Sequence, residues 1–392
     1  MAKLEAGKKL EIDVGLGKKG RSGYGFDDIT IVPSRRTRDP DDVDITMEIP
    51  PFRFELPLLA SAMDAVVDPK FAIACGELGG LAVLNLEGLQ TRYEDPEILF
   101  EKISGLPKEK ATRGIQEIYQ ESIKPELIKE RIREIKEGGV VAAASLTPQK
   151  VEAYYRHARD AGLDILVIQG TVVSAEHVSS TQAPLDLNRF ISSVDIPVIV
   201  GGCASHPTAL HLMRTGAKGV LVGVGPGAAC TTRQVLGVGV PQVTAIADVA
   251  AARMRHLDET GEYVQVIADG GMRTGGDISK AIACGADAVM IGSPLAQAKE
   301  APGRGYHWGM ATFHPQLPRG TRVAVGTSAT LQEILLGPAH ENKGTLNLFG
   351  ALRMSMATCG YENIKAFQKA EVMVAPATKT EGKFLQQIQG LT

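Results

Sequence analysis

VQVIADGGMRTGGDISKAIACGADAVMIGS, residues 264–293, decides the fold. Two short runs, VQVIADGG (264–271) and AVMIGS (288–293), are apolar and each ends in small residues. Neither alternates polar with apolar positions, which is the pattern of parallel strands covered on both faces. One helix-length segment lies between them. Working outward, six earlier runs have the same character: PLLASAMD (57–64), LAVLNL (81–86), VVAAAS (140–145), DILVIQG (164–170), IPVIVGG (196–202) and GVLVGVG (219–225). Segments such as KVEAYYRHARDAGL (150–163) and HPTALHLMRTGA (206–217) separate most of them. Strand then helix, eight times over, is the sequence form of a (β/α)8 TIM barrel in the α/β class. A doubly wound open sheet is the rival. Even spacing, and no G-x-G-x-x-G opening the first helix, count against it.

Two connections exceed one helix. Residues 87–139 form a charged helical insertion that contains PELIKERIREIKEGG (125–139). Residues 294–345 are rich in Gly and Pro and follow the last strand, so they read as an active-site loop. Residues 346–370 read as helical. The domain reading is therefore a single catalytic barrel over 1–392, with an N-terminal arm at 1–25 and a loosely ordered tail at 378–392. Basic residues near the start, among them Lys8, Lys18 and Arg21, suit a solvated arm.

The chain has 392 residues, 44% hydrophobic and 22% charged, with a net charge of −3. No strong field favours nucleic acid, and no nucleic-acid partner is expected. No stretch reaches the roughly 18 apolar residues of a membrane helix, and the first residues lack an apolar signal core. A cytoplasmic protein without membrane attachment is the expectation. The cysteines, Cys75, Cys203, Cys230, Cys284 and Cys359, are odd in number and widely spaced, with no C-x-x-C. They indicate neither a disulfide framework nor a zinc site.

In such a barrel the chemistry sits at the strand C-termini. After the sixth run stands GVGPGAACTTR (223–233), whose glycines and proline turn the backbone tightly around Cys230. Loop or helix-start amides could there stabilise a thiolate, and Thr231 and Thr232 add hydroxyls. A buried cysteine in a tight turn fits the same residues. After the seventh and eighth runs, Gly270, Gly271, Gly292 and Ser293 could bind phosphate oxygens through amides and a hydroxyl. Asp269 could accept from two ribose hydroxyls, or could cap a helix. After the first run, Met63 beside Ser61 could lie against a planar base or belong to the core. After the fourth, Gln169, Gly170 and Thr171 suit a second ligand such as a dinucleotide, or a helix cap. His177 and His206 read as structural.

FDDITIVPS (26–34), SAMD (61–64), GVGPGAACTTR (223–233), GVGVPQVTAI (237–246), IADGG (267–271) and IGS (291–293) occur in order. With them the chain resembles the IMP dehydrogenase/GMP reductase family over nearly the whole barrel. The resemblance implies that Cys230 attacks C2 of a purine nucleotide beside Thr232. It implies that Ser61, Met63, Asp269, Gly270, Gly271, Gly292 and Ser293 bind that nucleotide. Gly223, Val224 and Gly225 would join Gln169, Gly170 and Thr171 on the cofactor side. Gly225, Gly227 and the Cys230 carbonyl match positions where dehydrogenases of the family hold potassium. A homo-oligomer, tetramer or octamer, is implied as well. The sequence also departs from the family. Ala228 stands where a phosphate-binding serine is usual, Cys203 replaces an Asn, and Gln169 replaces an Asp. The base-binding string is read at PRGTR (318–322), giving Arg319, Gly320 and Thr321. The assisting glutamate of the reductases is read as Glu341.

Both reactions of the family begin with a covalent thioimidate at C2. The CTTR loop followed by GVG-x-PQ resembles the reductases. The 87–139 insertion is too short for a pair of CBS domains, and no Arg-Tyr dipeptide follows the eighth run. The expectation is an NADPH-dependent GMP reductase in purine interconversion, of a divergent branch without CBS domains. The alternatives are an IMP dehydrogenase using NAD+ and a nucleotide-binding regulator without turnover. The neutral Gln169 favours NADPH over NADH.

Overall fold

Eight short parallel strands close on themselves. They are β1 (Leu58–Ala60), β2 (Leu81–Asn85), β3 (Ala143–Leu146), β4 (Ile165–Gln169), β5 (Val198–Cys203), β6 (Gly219–Val222), β7 (Gln265–Asp269) and β8 (Ala288–Ile291). Each pairs with the next in sequence, and β8 pairs back with β1, as in Met290 opposite Leu59. The computed structural model describes residues 11–178, 180, 184–309, 321–375 and 389.

Alternate residues of each strand face opposite ways, and both faces are dry. Leu59, Val83, Val167, Ile199, Leu221, Ile267 and Met290 fill the barrel interior as one cluster. Their neighbours Leu58, Leu84, Leu166, Val200, Val220, Val266 and Val289 belong to the core under the helices. This two-sided burial is why the runs were apolar without alternation. A hairpin, Met47–Ile49 with Phe52–Phe54, precedes β1 and adds Met47, Ile49 and Phe54 to the interior cluster. It closes the N-terminal end of the barrel, so the open end is the C-terminal one.

The helices are α1 (Pro69–Glu77), α2 (Glu97–Gly105), α3 (Lys108–Ile118), α4 (Pro125–Glu137), α5 (Val151–Asp160), α6 (Leu187–Ser193) and α7 (His206–Met213). Then follow α8 (Thr232–Leu236), α9 (Gln242–Thr260), α10 (Gly275–Ala283), α11 (Leu331–Leu336), α12 (Leu348–Thr358) and α13 (Ile364–Phe367). Caps fit the local sequence: Asp68 accepts from the Phe71 amide before α1, and Thr274 and Asp277 form a capping box before α10.

The insertion between β2 and β3 holds α2, α3 and α4 and no CBS pair. Helix α4 packs against α1 and α5 as an ordinary member of the outer ring. Helices α2 and α3 are extra. Phe100, Ile103, Ile115 and Ile118 from them make a satellite cluster with Leu89 and Trp308. Trp308 comes from the connection after β8, where Tyr306–Trp308 pairs with Arg322–Ala324. The two long connections therefore fold onto each other. Residues 346–370 hold α12 and α13. In the arm, Glu11–Gly15 pairs with Lys18–Arg21 as a hairpin that is exposed almost throughout. Apart from residue 389, the stretch read as the tail lies outside the described residues.

Candidate active site

A cavity of roughly 1130 Å³ opens over the C-terminal ends of the strands. Its lining includes Ser61 and Met63 after β1, Asn85 and Glu87 at β2, and Gln169, Gly170 and Thr171 at β4. It also includes Gly223, Gly225, Gly227, Cys230 and Thr232 after β6, Asp269, Gly270 and Gly271 after β7, and Gly292 and Ser293 after β8. Residues scattered over more than two hundred positions meet because strand ends are the one place a barrel gathers them.

Cys230 lines the cavity from the loop before α8, half-exposed. Its sulfur lies 3.2 Å from Thr232 Oγ1. The other cysteines do not line the cavity. Burial pushes the thiols of Cys75 and Cys203 up to about 12, and that of Cys284 up to about 11. They stay protonated and serve as small apolar groups. The loop is pinned from behind by Arg233, whose Nη2 donates to the Val240 carbonyl at 2.6 Å and Nε to the Val224 carbonyl at 3.4 Å. Within it, the Cys230 amide donates to the Gly227 carbonyl at 3.0 Å. That leaves the Gly227 oxygen one lone pair for a cation. Among the described residues no group of three or more His, Cys, Asp or Glu could hold a metal ion.

Asp269 ends β7 half-buried in the cavity wall, and desolvation there pushes its carboxyl up to about 7 while the Gln169 amide pulls the other way. Gln169 Nε2 donates to Asp269 Oδ2 at 3.2 Å. Gln169, expected at the cofactor rim, lines the cavity, and there its amide bonds Asp269. Gln242 Nε2 donates to the Val222 carbonyl at 2.6 Å and to the Asp269 carbonyl at 3.1 Å, tying the ends of β6 and β7. Between those strands a Cβ on Gly223 would stand 2.2 Å from the Asp269 carbonyl oxygen, so only glycine fits.

The β7 and β8 turns face each other. Gly270 and Gly271 have φ of +80° and +84°, in the left-handed region that favours glycine. The Gly270 amide donates to the Met290 carbonyl at 3.1 Å, so it serves the sheet and is not free for a ligand. Met63 packs on the β8 turn; a Cβ on Gly292 would meet its sulfur at 2.7 Å. Ser293 Oγ is 2.9 Å from His307 Nε2.

Several expected residues stand elsewhere. Val224 is buried in the core and does not line the cavity. Thr321 is exposed and outside the cavity, and Arg319 and Gly320 lie outside the described residues. His307 and Gly309 line the cavity from the connection after β8. Glu341 also lies outside the lining. Burial opposes its ionisation, but the amides of Lys343, Thr345 and Leu346 outweigh that and hold it below the usual range. Both of its oxygens accept hydrogen bonds from its own loop. His177, read as structural, sits on the cavity rim. Sequence reasoning missed Asn85, Gln242 and His307. Asn85 was legible as a polar residue ending an apolar run, whereas Gln242 and His307 sit away from strand ends.

A β/α-barrel protein with a cysteine-bearing glycine turn, a half-buried carboxyl and two facing glycine turns around one large cavity is the class defined here. Residues 23–383 match the IMP dehydrogenase / GMP reductase domain, and the chain belongs to that family. It is 47% identical over 372 residues to an uncharacterized oxidoreductase of Mycolicibacterium smegmatis, covering 93% of this chain and 99% of that one. It is 26% identical over 476 residues to inosine-5'-monophosphate dehydrogenase of Methanocaldococcus jannaschii, covering 93% and 95%. The crystal structure of an IMP dehydrogenase/GMP reductase-like protein from Corynebacterium glutamicum matches with a TM-score of 0.88 at 44% identity, covering 93% and 98%.

Proposed function

We propose that this protein is an oxidoreductase of purine nucleotides, and specifically a GMP reductase that converts GMP to IMP and ammonia with NADPH. The observation that carries the reading is Cys230 beside Thr232 in the same cavity as Asp269 and the β7–β8 turns. Cys230 Sγ attacks C2 of the purine to give a tetrahedral adduct; the 2-amino group leaves it as ammonia, a thioimidate remains, and hydride reaching C2 then lets the C2–sulfur bond break to return the thiolate and IMP. Thr232 Oγ1, which accepts from the thiol, relays that proton by passing its own on to the departing amino group. Asp269, once ionised, accepts from the ribose hydroxyls and fixes the nucleoside. Gly271, Gly292 and Ser293 receive the phosphate.

The cavity exceeds the roughly 300–1000 Å³ of ordinary ligand pockets, which leaves room beside the nucleotide. Ser145, Thr147, Gln149, Gly170, Thr171 and His177 also line the cavity and suit the polar groups of a nicotinamide dinucleotide. NADPH bound there would supply the hydride that ends at C2. Glu341 is left out of the mechanism, since its carboxylate is held by its own loop. A monovalent cation such as potassium on the Gly225, Gly227 and Cys230 carbonyls is part of the proposal, as is a homo-oligomer.

The choice of reductase is supported by the CTTR loop, the short insertion and the sequence after β8, which has no Arg-Tyr dipeptide. IMP dehydrogenation with NAD+ is the second reading, favoured by the likeness to the Methanocaldococcus enzyme. Purified protein is assayed with GMP plus NADPH and with IMP plus NAD+, in potassium and in lithium salts. Turnover of GMP with ammonia release is expected; brisk NADH formation from IMP with no GMP turnover sinks the reductase reading. The Cys230→Ala variant should bind nucleotide and turn over nothing. Turnover equal to wild type would remove Cys230 from the mechanism.

A further inference from the structure

His307 is a buried imidazole that the scheme above does not use. It lines the cavity from the strand Tyr306–Trp308. Its Nε2 lies 2.9 Å from Ser293 Oγ, and its Nδ1 is buried with no hydrogen-bond partner among the described residues. Burial holds the ring down at about 4, so it is neutral at physiological pH and one nitrogen is bare. The orphaned Nδ1 decides which one. A buried N–H without an acceptor is rarer in proteins than a buried acceptor without a donor. The proton therefore sits on Nε2, which donates to Ser293 Oγ. A hydroxyl that accepts from behind keeps its own O–H free to donate forward, and the bond behind polarises it. In front of Ser293 is the cavity, beside Gly292 and across from Gly271.

The strand that carries His307 is held rigidly. The next residue, Trp308, donates from Nε1 to Tyr119 Oη at 2.8 Å, and Tyr119 donates to buried Asp64. On the paired strand, Arg322 donates to the carbonyls of Ile103, Ser104 and Leu106 at the end of α2. The insertion thus fixes the imidazole in place.

We infer that His307 is a positioning residue for the anionic group of the substrate: it holds the Ser293 hydroxyl as a donor to a phosphate monoester. The inference rests on the purine-nucleotide reading for which phosphate is bound, and on the Ser293–His307 contact for how.

The test is calorimetric binding of IMP, of inosine, which lacks the phosphate, and of inorganic phosphate. Wild type, His307→Phe, His307→Gln, Ser293→Ala and the double variant His307→Phe/Ser293→Ala are compared. His307→Phe should weaken IMP by about tenfold or more, the range of one hydrogen bond to a charged group, and leave inosine unchanged. His307→Gln, whose amide nitrogen reaches the Nε2 position, should restore most of the loss. The two single losses should not add in the double variant. IMP and inosine weakened alike would mark His307 as merely structural and overturn the inference; so would additive losses, or unweakened IMP binding by His307→Phe. If wild type binds phosphate but neither IMP nor GMP, the nucleotide reading fails, and weaker phosphate binding by His307→Phe still upholds the inference.

Discussion

Asp269 shows how one residue's surroundings set its chemistry. An aspartic acid in water is ionised well below neutral pH. Here burial raises the carboxyl to about 7, with only the Gln169 amide supporting the charge. The folded protein holds the proton more tightly than the unfolded chain. Stability linked to this group is therefore greatest in acid and is lost as pH rises from the unfolded value through about 7. A nucleotide whose ribose hydroxyls donate to the carboxylate reverses the preference, since binding then favours the charged form. Wild-type affinity for IMP should rise between about pH 6 and about pH 8 more steeply than that of Asp269→Asn. Titration calorimetry across that range checks it; parallel pH profiles would show that Asp269 does not meet the sugar.

At the scale of elements, the insertion and the connection after β8 act as one unit. Tyr119 bridges Trp308 and Asp64, while Phe100 and Trp308 pack with ring centroids 6.1 Å apart. Burial drives the Asp64 carboxyl up to about 6, against the Tyr119 hydroxyl, the Leu89 amide and the Asn85 amide. Asn85 donates to Asp64 at 3.1 Å and lines the cavity, so the network reaches the site. Removing the tyrosine hydroxyl leaves the Trp308 N–H and Asp64 each short of a partner. Tyr119→Phe should lower stability by about 1–3 kcal/mol. It should also raise KM for the nucleotide more than it lowers kcat, because the strand bearing His307 loosens while Cys230 is untouched. Urea melts with steady-state kinetics test this, and an unchanged KM would separate the insertion from the site.

For the whole molecule, the two ends of the barrel divide the work. The open end carries the cavity. Near the other end, Asp287 before β8 accepts from Arg253 at 2.8 Å, Tyr263 at 2.6 Å, Gln368 at 2.9 Å and the Val266 amide at 2.8 Å. The Arg253–Asp287 pair is buried and ties α9, β8 and the segment after α13 together. Breaking such a pair strands a buried charge at a cost of about 3–5 kcal/mol. Arg253→Met should cost that much in chemical unfolding, and adding Asp287→Asn should recover part of it. Nucleotide affinity of the folded variant should stay within about twofold, as the pair stands at the end of the barrel that serves stability. A large loss of affinity without loss of stability would contradict this division. No helix among the described residues is long and apolar enough to cross a membrane.

The eight barrel strands were legible because a strand buried on both faces has no polar position to spare, so its apolar run stands out in the chain. Cys230, Asp269 and the glycine turns were legible because each follows directly on such a run. Placement of the long connections was not. Glu341 and Thr321 were matched by local context, and local context cannot tell which loop folds inward. His307 and Gly309 reach the cavity because Trp308 buries its ring against α2 and α3, a contact between segments about two hundred residues apart. Gln169 meets Asp269 for the same reason: a carboxyl drawn partly out of water takes the nearest donor, and only closure of the barrel brings β4 opposite β7. The sequence by itself determined the strands and the residues at their ends. Tertiary packing alone decided which side chains share the cavity and which hydrogen bonds they have left for a ligand.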